Sequence, residues 1–244
     1  MILPRRERSF PLPEIDGRTV FQVLVMLAGL IGLVILTGSL LYWLLSDSFP
    51  DLDQTPWLLV IGTLIQTAVI VGAVEFGWRR RKGLSWQQIG FRPAGRKTIL
   101  LFLLAGLALA GMVELVERLL EIKPGDLIPA LIAPQGFDWL HFLAVLVSVG
   151  LIAPVAEEIL FRGVLYSWFR KHVGVTLSLL VNGALFGLIH AGYPLELMFL
   201  VGLMGVIFAL SFEWTGSLWL PIVLHIGQNS AVVIAIFATL YVSP

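Results

Sequence analysis

Long uncharged apolar runs constrain this chain before anything else does. A helix needs about 20 consecutive apolar residues to cross ~30 Å of hydrocarbon at ~1.5 Å per residue. The first run, Val20 to Leu45, holds 26 residues without a charge. Others cover Pro56 to Trp78, Thr98 to about Val116, Trp139 onward, Val173 to Ala191, Pro194 to Phe212 and Leu218 to Tyr241, divided by glycine, proline, aspartate or basic segments. This pattern predicts an all-α, polytopic membrane helical bundle with about seven transmembrane spans. No small-residue cleavage site follows the first run, which reads as a retained span rather than a removable signal. With no repeat or low-complexity linker, the expectation is one transmembrane domain, 20–244, behind a basic arm, 1–19.

Composition closes off the alternatives. Of 244 residues 58% are apolar and 13% charged, at a mean hydropathy of +0.92, more hydrocarbon than a soluble globule of this size can hide. A formal net charge of zero, with no basic cluster interleaved with aromatics, speaks against a nucleic-acid partner, and the absence of cysteine against a disulfide-stapled fold.

Cations near span ends are retained on the cytoplasmic side. Arg5, Arg6, Arg8 and Arg18 stand in the arm, and Arg79, Arg80, Arg81, Lys82, Arg92, Arg96 and Lys97 in the second connection. Arg162, Arg170 and Lys171 follow the apolar part of the fourth run, whereas the alternate connections hold Asp47, Asp51, Asp53, Arg118 and Lys123. The expected N-terminus is cytoplasmic and, after seven spans, the C-terminus lies on the outer side. Trp139, Trp214, Trp219 and Tyr241 read as interfacial anchors.

Ionisable groups in hydrocarbon cost from ~3 to over 10 kcal/mol, so each one at depth needs a reason. Glu157 and Glu158 are adjacent in the fourth run, with Arg162 four residues after the second. That spacing stacks Glu158 and Arg162 on one helix face as a charge-assisted pair and leaves Glu157, about 100° away, without a partner in its own helix. Phe186 and His190, and His225 and Asn229, are likewise four apart in the fifth and seventh runs. A hairpin turning at Val173-Gly174 brings Glu157 and His190 to equal depth, ~25 Å from its tip. If that tip protrudes from the hydrocarbon, His225, ~12 Å inside the seventh span, reaches the same level, and all three clusters line one cavity opening toward the cytoplasm.

A carboxylate beside a histidine can hold a water and remove its proton, and a second histidine with an amide can donate to the oxyanion of an attacked peptide carbonyl. Neither a Gly-x-Ser-x-Gly elbow nor a buried Ser-Lys arrangement is present. Glu157-Glu158-x-x-x-Arg162, Phe186-x-x-x-His190 and His225-x-x-x-Asn229 resemble, in order, the three motifs of the CPBP family of intramembrane proteases, which includes CAAX prenyl endopeptidases and bacteriocin-processing or immunity proteins. The resemblance covers about residues 139–243, and the segment from Leu84 to Arg92 is similar to one that many members carry before a following span. It implies an intramembrane endopeptidase of a bacterial-type cell membrane, acting on a peptide or protein substrate at the bilayer. Glu157 and His190 would activate water, and His225 and Asn229 would stabilise the oxyanion. Glu158, Arg162 and Phe186 would support them. Catalysis without a cofactor is favoured because of the spare oxyanion donors; zinc on Glu157, His190 and His225 is the alternative, although the zincin His-Glu-x-x-His is absent.

Blander roles fit the remaining polar residues. His141 and His172 read as span-end histidines, Glu75 and Glu114 as locally paired, and Glu196 as a rim residue. Asn182 either orients His190 or bonds a neighbouring helix, and Gly202, Gly205, Ala209 and Ser211 suit close helix packing. The rival readings are a non-catalytic immunity or scaffold protein that binds a peptide, and a small transporter with a protonatable Glu-His relay; the latter usually carries a repeat symmetry missing here.

Overall fold

The computed structural model describes residues 13, 15–45, 57–122, 132–133 and 136–242. Arg5, Arg6, Arg8, Asp47, Asp51, Asp53 and Lys123 lie outside the described residues. Among the described residues there are eight α-helical elements: α1 (Gly17–Leu45), α2 (Trp57–Val74), α3 (Arg96–Leu119), α4 (Trp139–Val145), α5 (Ala153–Glu158), α6 (Ser167–Leu188), α7 (Leu195–Thr215) and α8 (Trp219–Val242). Wider π-helical turns extend α2 (Glu75–Arg79), join α4 to α5 (Leu146–Ile152) and join α5 to α6 (Ile159–Tyr166). Among the described residues six continuous helical stretches are long and apolar enough to cross a membrane, of which Trp139–Leu188, at 50 residues, is more than twice the length needed.

Gly174 divides that stretch. Its φ of 79° and ψ of −177° are open to glycine and strained for other residues, and no helix continues straight through them. The chain doubles back there: the rings of Phe161 and Phe186 meet at 5.0 Å, and Asn182 Nδ2 donates to the Phe161 carbonyl at 2.9 Å. Seven rods result, with the hairpin tip where the sequence placed it. Asn182 is therefore the interhelical bond of its two readings.

One end of the bundle gathers the cations. Asp16 caps α1 by accepting from Thr19 N at 2.7 Å and meets Lys82 Nζ at 3.1 Å; those bonds hold its carboxyl at about 2. With this cap α1 starts at Gly17, three residues before the expected Val20. At the same end, Arg170 and Tyr166 reach Glu213 at 3.2 and 2.7 Å, and Ser217 Oγ donates to the Arg92 carbonyl at 2.6 Å. Leu218 N donates to the Gly90 carbonyl at 2.8 Å, docking the 83–95 connection on the turn before α8.

Small residues set how closely the helices approach. A Cβ on Gly183 would lie 2.7 Å from the Gly202 carbonyl, and one on Gly187 2.6 Å from the Met198 carbonyl, so α6 and α7 touch backbone to backbone. Gly106 and Gly227 do the same for α3 and α8, where an added Cβ would meet the Leu224 carbonyl at 2.1 Å and the Leu103 carbonyl at 2.5 Å. Around these contacts Trp78, Phe161, Phe186, Phe208 and Leu224 form the main core, and Val60, Val145, Val233 and Phe237 form a second one toward the other end.

Candidate active site

Pro154 shapes the helix that bears the two glutamates. It has no N–H to give the turn before it, and that turn is π-wound from Leu146 to Ile152. Ala153 N bonds the Ser148 carbonyl, five residues back, which deprives the Val149 carbonyl of its α-helical donor. The next donor along would be Pro154. Asn229 of α8 fills the gap: its Nδ2 donates to the Val149 carbonyl at 3.1 Å and ties the two helices together beside the site.

The π-wound segment after α5, Ile159–Tyr166, carries the arginine. Arg162 and Glu158 are both fully buried, with Nη1 to Oε1 at 2.7 Å, while Nη2 donates to the Gly205 carbonyl at 2.7 Å. Phe186, Phe208 and Phe161 surround the guanidinium at 4.8, 5.3 and 5.8 Å. Glu158 Oε1 also meets His225 Nδ1 at 3.0 Å, and the imidazole lies stacked on Phe208 at 4.5 Å. Arg162, Glu158 and His225 thus form a line of charged and polar groups walled by aromatic rings. A buried pair of this kind persists only when its geometry and hydrogen bonds offset desolvation.

Glu157 faces the other nitrogen of the His225 ring. Its Oε2 lies 3.8 Å from His225 Nε2, too far for a direct hydrogen bond and near enough for one further polar atom to bond both. His190 differs from expectation. Helix α6 ends at Leu188, before Gly192 and Pro194, so His190 stands in a turn rather than on the helix. It still meets Phe186, with ring centroids 5.3 Å apart, and its Nδ1 is 2.8 Å from the Phe186 carbonyl. With Nδ1–H donating there, Nε2 is left as the acceptor.

Glu157, His190, His225 and Asn229 line one cavity of about 620 Å³, with Phe186 and Phe208 in its wall. Its direction corrects the sequence reading. On α8 the lining runs from His225 to Thr239, ~21 Å at ~1.5 Å per residue, and on α3 from Leu107 to Glu117. On α2 and α7 it takes Leu59 to Gln66 and Leu197 to Phe208, the halves remote from the cation-rich end. Hence the cavity extends from the site away from the basic connections and not toward them. Lateral packing decides this: the aromatic core and the docked 83–95 segment fill the basic side. Glu196 is exposed and outside the lining, whereas Glu114 is part of it while pairing with Arg118.

Next to the motif residues, the lining holds two polar side chains not singled out from sequence. Tyr193 follows His190 by three residues, its ring 5.6 Å away, and burial together with the Glu157 carboxylate pushes its phenol up, keeping it a donor. Gln228 stands three residues after His225. Neither belongs to a motif, and only the turn after α6 and the close α3–α8 contact bring them in. Among the described residues no three His, Cys, Asp or Glu side chains are grouped so as to hold a metal ion, Glu157, His190 and His225 included. His141 and His172 sit apart, the one buried beside Trp57 and Phe237, the other exposed against Trp168.

Residues 139–231 match the family described as type II CAAX prenyl endopeptidase Rce1-like. A protein of Bacillus subtilis (strain 168) named Putative membrane peptidase YdiL is 32% identical over 92 residues, 38% of this chain and 36% of that protein. The Membrane-embedded CAAX protease MroQ of Staphylococcus aureus (strain USA300) is 33% identical over 92 residues, 35% of this chain and 36% of its own length. The chain spans about a third of the length of these curated relatives in the matched region. No solved structure matches at comparable significance. The resemblance to the CPBP proteases read from the three motifs holds over this segment, and the whole chain is an integral membrane protein by its apolar helices.

Proposed function

We propose that the chain is an intramembrane endopeptidase that hydrolyses a peptide bond of a membrane-associated substrate. The observation that carries it is the meeting of Glu157, His190 and His225 on one cavity inside a helical membrane bundle. A water held between Glu157 and His190 Nε2 loses a proton to them as its oxygen bonds to the carbonyl carbon. An imidazolium at His225, with the Glu158 carboxylate at Nδ1, donates from Nε2 to the developing oxyanion, and the second N–H of Asn229 supports it. Collapse breaks the C–N bond, and the proton taken from water passes to the leaving amine. Arg162 bonds Glu158, and Glu158 bonds His225, so that pair positions His225 rather than touching substrate.

The charge rule places the cation-rich end in the cytoplasm. On that orientation substrate enters from the outer half of the bilayer, along the apolar part of the cavity. Protein termini are compared in membranes of cells carrying the wild type or Glu157→Gln at matched expression, and the purified protein is then asked to reproduce the cuts. New termini confined to the wild type are expected; equal termini with the phenotype preserved would favour a peptide-binding scaffold. The reading uses no metal, and EDTA is expected to leave turnover unchanged. Chelator-sensitive turnover restored by zinc overturns that part.

A further inference from the structure

A membrane protease needs to hold its substrate's backbone as well as cut it, and the lining of this cavity is uneven in polarity. Glu157, His190, Tyr193, His225, Gln228 and Asn229 crowd its inner end, beyond which the wall is mostly apolar, with Val232, Val233, Ile236, Leu107 and Val113, and is broken by Thr63, Gln66, Glu114, Glu117 and Thr239. Three of the inner groups have hydrogen-bonding protein neighbours: His225 meets Glu158, Asn229 donates to Val149, and His190 is held by Phe186, whereas Glu157 faces His225 at 3.8 Å and Tyr193 meets His190 through its ring. Gln228 has none. It is only 6% exposed, its side chain lines the cavity, and no group of the described protein takes its amide N–H or its carbonyl. Leaving a primary amide unpaired at this depth is unfavourable, and a membrane helix offers apolar residues of the same length at no such cost.

The position is also fixed. Gln228 follows Gly227, whose approach to α3 is closed to any side chain, and a Cβ on Gly106 would come within 3.0 Å of Gln228 N. Spaced three residues from His225, the amide projects over the same face of α8 as the reacting groups. A carboxamide presents one acceptor and a pair of donors in a plane, the complement of a peptide group's N–H and C=O.

We infer that Gln228 is a substrate-docking residue whose side-chain amide hydrogen-bonds the main chain of an extended, apolar peptide segment next to the scissile bond. The inference rests on the endopeptidase reading for its scissile bond, though the docking is measurable without cleavage. An extended segment suits the space, since ~21 Å of cavity takes roughly six residues at ~3.3 Å each, and a peptide unwound to fit has main-chain groups that the apolar walls cannot satisfy.

The test uses the full chain in lipid nanodiscs and a pool of labelled, internally quenched apolar peptides of about ten residues with lysine ends. Binding is read in the Glu157→Gln background, and cleavage with Glu157 intact. The tightest peptide is remade with each main-chain nitrogen methylated in turn. One methylation is expected to weaken binding about tenfold, the worth of one good hydrogen bond. Gln228→Met should weaken the unmethylated peptide by a similar factor, abolish sensitivity at that one position, and raise KM with kcat within about twofold. Thermal unfolding of Gln228→Met should be equal to or above that of the parent, because a same-length apolar side chain replaces an unpaired amide. Should that variant not fold, Gln228→Asn, which withdraws the amide by one methylene, serves in its place and should lose the same sensitivity. Unchanged affinity and an unchanged methylation profile overturn the inference, as does a protein that binds none of the pool. A Gln228-dependent profile on a peptide that is never cut leaves docking standing and removes the protease reading. Glu157-dependent cutting with a Gln228-independent profile does the reverse.

Discussion

The chain writes Glu-x-x-x-Arg four times, at Glu14–Arg18, Glu75–Arg79, Glu114–Arg118 and Glu158–Arg162, and the bundle makes different things of the second and the last. Glu75 takes Arg79 and, at 2.7 Å, Arg80 at the cation-rich end of α2, with 13% and 22% of the Glu75 and Arg79 side chains exposed. Glu158 and Arg162 have the same spacing and no exposure at all, under three aromatic rings. One pair has water to fall back on; the other has only the Gly205 carbonyl and His225. Identical spacing yields an anchor at a wet end and a structural element of a reaction site at a dry one. Depth and neighbours, not the letters, assign the role.

The largest effect belongs to the residue beside the dry pair. Glu157→Gln keeps the side chain's shape and removes the base, so turnover is expected to fall by a factor on the order of 10² to 10⁴, with helical circular dichroism and thermal unfolding retained. Full activity in that variant sinks the assignment. Glu158→Gln comes next, because it strands Arg162 as a buried unpaired charge at about 3–5 kcal/mol. It should lose both stability and activity, whereas Glu158→Leu with Arg162→Met should recover much of the stability and none of the activity. An equally stable, fully active Glu158→Gln protein contradicts the positioning role. Gly205→Ala is smaller: its Cβ would stand 2.8 Å from Phe186 Cβ, so Phe186 must shift off the arginine, at about 1–3 kcal/mol. Denaturant titration in mixed micelles reads that loss. At the wet pair, Glu75→Gln should cost much less than Glu158→Gln and leave turnover close to the parent, since both partners keep some exposure and a solvated pair contributes less than a buried one; a loss there as large as at Glu158 would erase the distinction.

Much of this was legible in the residues, for reasons that can be named. Apolar runs report spans because hydrocarbon thickness is fixed, and Gly174 reports the hairpin because its backbone angles suit glycine. The meeting of Phe161 with Phe186 is then arithmetic about that tip. What stayed hidden depends on tertiary contact. The spacing put Asn229 one turn after His225, but not that it would serve the Val149 carbonyl that the turn before Pro154 leaves without a donor. Gly192 and Pro194 were visible as helix breakers, and the breakpoint at Leu188, which takes His190 off the helix, was read three residues late. The direction of the cavity was missed because cation counts speak of connections and say nothing of which side the aromatic core fills. Tyr193 and Gln228 carry no sequence signal of their own beyond polarity in an apolar stretch.

The π-wound segments leave this site unusually tolerant of one change in chain length. In a uniform α-helix, removing one residue turns everything beyond it by about 100°. From Ile159 to Tyr166 the winding is already wide, so a single deletion there can be taken up by tightening to ordinary α geometry. The phase between the two flanks, Glu157 and Glu158 on one side and Ser167 and the hairpin tip on the other, is then largely kept. The same deletion in the α-helical stretch from Ser167 to Val173 has no wide turn to absorb it and would swing the hairpin tip away from its neighbours.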